Sequence, residues 1–160
     1  MQIFELNEKY YEKIKDLLVE LQNFIISIDK YNLNLISKDY RKKYFEYMLE
    51  DCKNSQGKVF VAVQDNNVVG MVAGYVQKYD YRDSLDYACP KKGIVSELIV
   101  SKNCRANGVG TTLLKHIEKY FKSIDCKFVQ LDVFSYNENA KKFYYHNNYE
   151  KRVETLFKKI

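Results

Sequence analysis

The sequence has little of what loosens a chain: one proline and six glycines in 160 residues. Collagen-like chains, low-complexity tails and long flexible linkers are excluded on that ground. The four cysteines, Cys52, Cys89, Cys104 and Cys126, form no C-x-x-C pair, and the only two histidines, His116 and His146, lie far apart. Zinc-finger and paired-histidine spacings are therefore missing, and no metal is expected. No apolar run approaches the roughly 18 residues of a membrane-spanning helix. The N-terminal stretch MQIFELNEKYYEKIKDLL has charges scattered through it and no apolar core of a signal peptide. A reduced, cytoplasmic protein without membrane contact is expected, its cysteines serving as buried small hydrophobes.

What remains is ordinary for a globular chain: 46% hydrophobic and 29% charged residues, with 15 Tyr and 9 Phe. The length suits a single domain, residues 1–160, which at this size buries roughly two-thirds of its unfolded surface and needs no staple. Lys+Arg 26 against Asp+Glu 21 gives a net charge of +5. That balance favours a polyanionic ligand, but with no basic run and no stacking platform it predicts no nucleic-acid partner.

Gln2 to Leu6 alternates and predicts a first strand. From Asn7, apolar positions recur at Tyr10/Tyr11, Ile14, Leu17/Leu18, Leu21, Phe24/Ile25 and Ile28, the stripe of an amphipathic helix. Asp29 to Ile36 breaks the pattern. Ser37 then suits the cap of a second helix, turning Tyr40, Tyr44, Tyr47/Met48 and Cys52 toward a sheet. After Gly57 come strands at Lys58 to Val63 and Val68 to Gln77, with Asp65-Asn66-Asn67 as hairpin turn chemistry. Residues 79 to 92 read as a surface loop, and Gly93 to Val100 as a strand. Val109, Leu113/Leu114, Ile117, Tyr120/Phe121 and Ile124 mark a third helix. Lys127 to Phe134 is a strand, Asn137 to Asn147 a short helix, and Tyr149 to Phe157 a last strand. The order β-α-α-β-β-β-α-β-α-β predicts an α/β (α+β mixed) layer fold around one sheet.

The most informative stretch runs from Ser96-Glu97-Leu98-Ile99-Val100 through Arg105-Ala106-Asn107-Gly108-Val109-Gly110-Thr111 into a helix. A strand feeding a glycine-containing turn at a helix mouth binds phosphate, because first-turn amides are unpaired and the helix dipole is positive there. Taken alone, Asn107-Gly108 is equally a plain turn. No Gly-Lys-Ser/Thr follows, and the third glycine of a dinucleotide fingerprint is missing. Arg105-x-x-Gly108-x-Gly110 after a strand resembles the acetyl-coenzyme A motif of the GNAT superfamily of N-acetyltransferases. A second pattern of that family, Asn-x-x-Ala-x-x-aromatic-Tyr, is matched by Asn137 to Tyr144. The usual Gly-Phe after it is Asn148-Tyr149 here, and Asn tolerates the left-handed conformation better than most residues.

The resemblance implies a GNAT-like fold, a single, mostly antiparallel central sheet flanked by about four helices. It implies transfer of an acetyl group from acetyl-CoA to a primary amine of a small molecule or peptide, by direct attack through a tetrahedral intermediate. A catalytically silent acyl-CoA sensor on the same fold is the alternative, and family analogy suggests a homodimer. By position, the amides of Arg105, Asn107, Gly108, Val109, Gly110 and Thr111 would hold the pyrophosphate, with the Arg105 guanidinium adding charge. Ile99 and Val100 would pair with the pantetheine arm and offer an amide to the oxyanion, and Asn137 would bond the same arm unless its N-cap role uses it. Tyr144 is the expected general acid, with Tyr145 one residue out of register, and Glu97 the expected base, with Asp132 as the weaker choice. The connection Asp29 to Ser37 and the loop Tyr79 to Lys92 would flank the acceptor, the loop's tyrosines and aspartates offering a cation charge and π faces.

Overall fold

Asp65 and Asn66 both adopt the left-handed conformation, φ 50 and 63. Two such residues in succession make the tight turn that joins twisted antiparallel strands, and Gln64 pairs with Asn67 across it. The computed structural model describes residues 1–160. Its elements are β1 (Gln2–Glu5), α1 (Tyr11–Ile28), α2 (Tyr40–Asn54), β2 (Lys58–Gln64), β3 (Asn67–Val76), β4 (Lys92–Val100), α3 (Val109–Ser123), β5 (Phe128–Gln130) and α4 (Glu138–His146). They build one five-stranded sheet in the order β1-β2-β3-β4-β5. Pairing is antiparallel from β1 to β4 and parallel between β4 and β5. No helix is long and apolar enough to cross a membrane.

Helices cover both faces of the sheet. On one, Ile14, Leu17 and Leu18 of α1 and Phe45, Met48 and Cys52 of α2 pack on Val59, Val61, Met71, Ala73 and Ile99. On the other, Val109, Leu113, Leu114, Ile117 and Phe121 of α3 meet Ala62, Val69, Val72 and Val95. Because both sides are covered, β3 is buried without a break from Val68 to Gly74, as expected of a central strand. Phe121 lies so close to Gly93 that a Cβ there would come within 2.4 Å of its ring.

Three expectations are corrected. The core face of α2 is Phe45, Met48 and Cys52, while Tyr40, Tyr44 and Tyr47 lie off it. Phe45 sits about 100° around the helix from Tyr44, and apolar Phe takes the dry face. The fifth strand is only three residues long, and no last strand forms at Tyr149 to Phe157. A strand needs a neighbouring edge, and β5 leaves the sheet after Gln130, so Val153 and Leu156 stay 75% and 87% exposed. The tail is held elsewhere, by the Tyr31 hydroxyl donating to the Phe157 carbonyl at 3.1 Å. Finally, all four cysteines are free thiols, but only Cys52 is buried and the other three are half-buried.

Candidate active site

The parallel pair β4–β5 covers only Lys92 to Ile94 against Phe128 to Gln130. Beyond Ile94, β4 runs on to Val100 with β3 on one side and a free edge on the other. Ser101 N–H is donated to the Val69 carbonyl at 2.9 Å. Alternation along an antiparallel ladder then turns the amide of Ile99 toward β3, and those of Leu98 and Val100 toward the open side. The Ile99 side chain is buried in the core on the α1/α2 face.

Past this edge the chain makes a 3-10 turn, Lys102–Cys104, and enters α3 through Gly108, which is left-handed at φ +76. A Cβ at Gly108 would meet nothing within 4 Å, so the mouth of the helix is clear. The first helical bond is Thr112 N–H to the Gly108 carbonyl at 3.0 Å, which leaves the amides of Val109, Gly110 and Thr111 without helical acceptors. Val109 is buried and pins the turn to the core, while Asn107 is exposed on it. At Gly110 an added Cβ would lie 3.3 Å from the Phe143 ring and 3.6 Å from Val100, so β4, α3 and α4 converge there. A clear, anchored set of free amides at a helix mouth suits a phosphate-bearing ligand such as coenzyme A.

Arg105 is placed differently from a free phosphate ligand. Its Nε donates to the Val100 carbonyl at 3.0 Å, and its Nη2 meets Glu20 Oε1 of α1 at 3.4 Å. The guanidinium lies 5.9 Å from the Phe24 ring centroid. Glu20 Oε1 also accepts the Lys102 amide at 3.2 Å, so one carboxylate of α1 ties down the turn at two points. A pair 85 residues apart in sequence carries no local signal, and reading the motif alone missed it.

Glu97 reaches its position through a bulge. Ala73 pairs with Glu97 but Gly74 with Val95, so Ser96 is an extra residue in β4. Val95 consequently faces α3, whereas Glu97, two residues on, faces α2. The carboxyl is 9% exposed and accepts a hydrogen bond at Oε1 from the Tyr44 hydroxyl. Burial pushes its pKa up from 4.5 to about 7, and the Tyr44 bond works against that rise. Tyr40 stacks on Tyr44 with ring centroids 4.8 Å apart and an interplanar angle of 18°. Burial, aided by the charge of Glu97, lifts the Tyr40 phenol to about 12 and raises Tyr44 still more. These two tyrosines were expected in the core. A helical tyrosine stripe does not reveal whether it faces a sheet or a cleft.

From the far side of the opening, Tyr144 of α4 approaches the same carboxyl. Burial first, and then the charge of Glu97, push its phenol up to about 12. Tyr145 is 53% exposed, so of the two neighbouring tyrosines it is Tyr144 that turns inward. Its ring packs edge-on against Tyr149 at 5.8 Å, whose hydroxyl donates to Glu118 at 2.9 Å. Asn148, at φ 64, makes the left-handed turn between them. Asn137 caps α4, its Oδ1 accepting the Ala140 amide at 3.1 Å. Asp132 is exposed and, with Asp51, acts on Tyr75.

The two outer segments are held largely by their own hydrogen bonds, although the buried Tyr79 hydroxyl has no partner. Asp29 is buried and accepts the amides of Tyr31, Leu33 and Asn34 and the Asn34 side chain, so the α1–α2 connection is pinned from its first residue. Its bonds to Asn34 lead in lowering its pKa to about 2. In the other segment Asp80 and Asp83 accept each other's amides. The π faces there meet the chain's own cations: Lys92 lies 5.8 Å from both Tyr79 and Tyr87, and Arg152 5.5 Å from Tyr87.

The comparisons with known proteins fit this arrangement. Among curated proteins, an uncharacterized N-acetyltransferase of Methanocaldococcus jannaschii is 36% identical over 94 residues, 58% of this chain and 53% of that protein. The chain thus spans about half the length of the curated relative it matches. Among solved structures, a mutant of a Bacillus halodurans protein aligns with TM-score 0.87 and 17% identity over 100% of this chain and 99% of that one. An aminoglycoside N-acetyltransferase in complex with CoA aligns with TM-score 0.70 and 16% identity, over 99% and 98% of the two chains. These structural likenesses establish the mixed α/β fold. The model of the acetyltransferase (GNAT) family matches residues 20–149, and the chain belongs to that family.

Proposed function

We propose that this protein is an acetyl-CoA-dependent N-acetyltransferase acting on a primary amine of a small molecule or peptide. The observation that carries the reading is the convergence at one opening of a clear helix mouth, a free strand edge and a buried carboxyl beside a buried phenol. The CoA bound to one of the structural neighbours supports the ligand class, and the aminoglycoside in that neighbour's name supports a small-molecule acceptor.

Acetyl-CoA supplies an acetyl group activated as a thioester. The amides of Val109, Gly110 and Thr111, with the turn at Arg105, Asn107 and Gly108, hold its phosphates. Arg105 contributes charge close by while its Nε braces the turn. The edge of β4 over Ile99 and Val100 lines the arm, and Asn137 keeps its Nδ2 for it while Oδ1 caps α4. Glu97, titrating near neutral pH, accepts the proton that an aliphatic ammonium with pKa about 10.4 must lose before attack. The Val100 amide on the open side donates to the acyl oxygen as negative charge develops, an interaction worth about 3 kcal/mol in comparable sites. Tyr144, held as a phenol throughout the working pH range, donates to the departing sulfur. The amine attacks directly, and no side chain is acylated.

A thiol-release assay with acetyl-CoA across a panel of amines, beside a thermal melt, tests this reading. Free CoA is expected with at least one amine. Acetyl-CoA at 100 times its dissociation constant is expected to stabilise the fold by about 2.7 kcal/mol. Stabilisation without thiol release from any amine reassigns the protein as a silent acyl-CoA binder, and absence of both refutes the proposal.

A further inference from the structure

Glu97 is surrounded by hydroxyls and carboxyls with no cation among them. Tyr40 and Tyr44 face it from α2, Tyr75 from β3 and Tyr144 from α4, while Asp51 and Asp132 sit around Tyr75. A carboxylate this buried must be stabilised by charge or by a hydrogen-bond donor. The Tyr44 hydroxyl is the one group that bonds it. Tyr44 is well placed to do so with a fixed geometry. Its ring is backed by the stacked ring of Tyr40, one helical turn away. The flank of α2 next to Tyr44 is locked into the core by Phe45, Met48 and Cys52, with Phe45 packed edge-on against Tyr11 at 5.0 Å.

Resting on the reading of Glu97 as the base, we propose that Tyr44 is its positioning residue: its hydroxyl fixes one carboxyl oxygen, leaves the other for the acceptor, and sets the pH at which Glu97 becomes able to take a proton. The phenol performs this as a permanent donor, because burial and the carboxyl beside it keep it protonated. The ionised form of Glu97 gains more from the bond than the neutral form does. Losing the hydroxyl therefore makes the carboxyl harder to ionise, while the shape of the site is kept.

The test is Tyr44→Phe in the full-length chain. Carbon-13 NMR of labelled glutamate side chains follows the Glu97 midpoint without any acceptor. The midpoint is expected to move up by about one pH unit, a tenfold loss of carboxylate below it. The acid limb of the rate profile, with acetyl-CoA and an amine from the thiol-release panel, should move with it. Tyr40→Leu, which removes the backing ring and keeps the hydroxyl, is expected to shift the midpoint the same way by less. Should Tyr44→Phe not fold, the Tyr44 Cζ resonance of the unaltered protein must show an inflection at the Glu97 midpoint. An unmoved midpoint, or no such inflection, overturns the role of Tyr44. Undiminished turnover by Glu97→Gln overturns instead the reading of Glu97 on which it rests.

Discussion

Replacing Glu97 by Gln should make the fold more stable at pH 8 than at pH 4 relative to the unaltered protein, whatever the acceptor is. Burial raises the folded pKa of Glu97 to about 7, against 4.5 for an unperturbed carboxyl. Below pH 4.5 both folded and unfolded chains hold this proton, and the group contributes no pH dependence. Between 4.5 and 7 the unfolded chain releases the proton while the folded chain keeps it, so stability falls as pH rises. Above 7 both are ionised and the deficit stays constant. Each pH unit of that window is worth about 1.36 kcal/mol, which makes the whole deficit about 3 kcal/mol. Gln keeps an oxygen for the Tyr44 hydroxyl and never ionises, so the deficit disappears in Glu97→Gln.

Urea or thermal denaturation of both proteins at intervals from pH 4 to pH 9 reads this directly. The stability difference, variant minus unaltered protein, should be flat below 4.5, climb through the window and level off above 7. A rise of about 3 kcal/mol corresponds to roughly 6–12 °C in Tm for a chain of this size. Other titrating groups, the low-pKa Asp29 included, are common to both proteins and cancel in the difference. A difference that stays constant across the range, or that declines as pH rises, refutes the buried, donor-poor environment on which the assignment of a base rests.

Tyr144→Phe should slow turnover at least tenfold while leaving the dissociation constant of acetyl-CoA, measured by calorimetry, within about twofold; a crippled Tyr145→Phe with an active Tyr144→Phe would reverse the assignment. Gly108→Glu places bulk and negative charge in the one clear volume at the α3 mouth and strains a backbone at φ +76, so calorimetry should show CoA binding abolished and melting an unfavourable change of about 1–2 kcal/mol. Glu20→Ala frees both the Lys102 amide and the Arg105 guanidinium, and should raise the KM for acetyl-CoA more than it lowers kcat; the reverse split would show that Glu20 acts on the chemistry and not on the turn. Phe121→Ala, which empties the space between α3 and the glycines of β3 and β4, should cost about 3–5 kcal/mol in urea denaturation.

The parts of this molecule that could be read from sequence are those whose physics is local. Gly, Asn and Asp enter the left-handed conformation at least cost, so the turn at Asp65-Asn66, the helix entry at Gly108 and the bend at Asn148 were visible as letters, whereas Gln56, Cys89 and Ala106, left-handed too, were not. The apolar period of α3 was visible for the same reason, since its buried residues lie on one stripe. The last strand failed because a strand exists only against a partner edge, and nothing in Tyr149 to Phe157 says that β5 stops at Gln130. Tyr40 and Tyr44 failed because tyrosine suits a core and a cleft equally. The hold of Glu20 on Arg105 depends on where α1 crosses the end of β4, which no spacing encodes.

Glu97 falls between these cases, and the reason lies in one residue. In a regular strand Val95 and Glu97 would share a face. The fold needs them apart: an apolar side chain at 95 completes the packing of α3, and a carboxyl at 97 on that same face would be buried among Leu113, Leu114 and Ile117 with no donor. The opposite phase is no better, because Val95 would then leave the α3 core. The extra residue Ser96 satisfies both demands by turning the strand over between them. Everything downstream then keeps the new phase: Glu97 and Ile99 face α1 and α2, Leu98 and Val100 face α3. The bulge therefore does more than bend a strand. It places a carboxyl on the tyrosine side of the sheet within a few residues of the edge where β4 loses its neighbour, so that the proton acceptor and the amide donors of the proposed reaction come from one short segment whose geometry is braced on both faces.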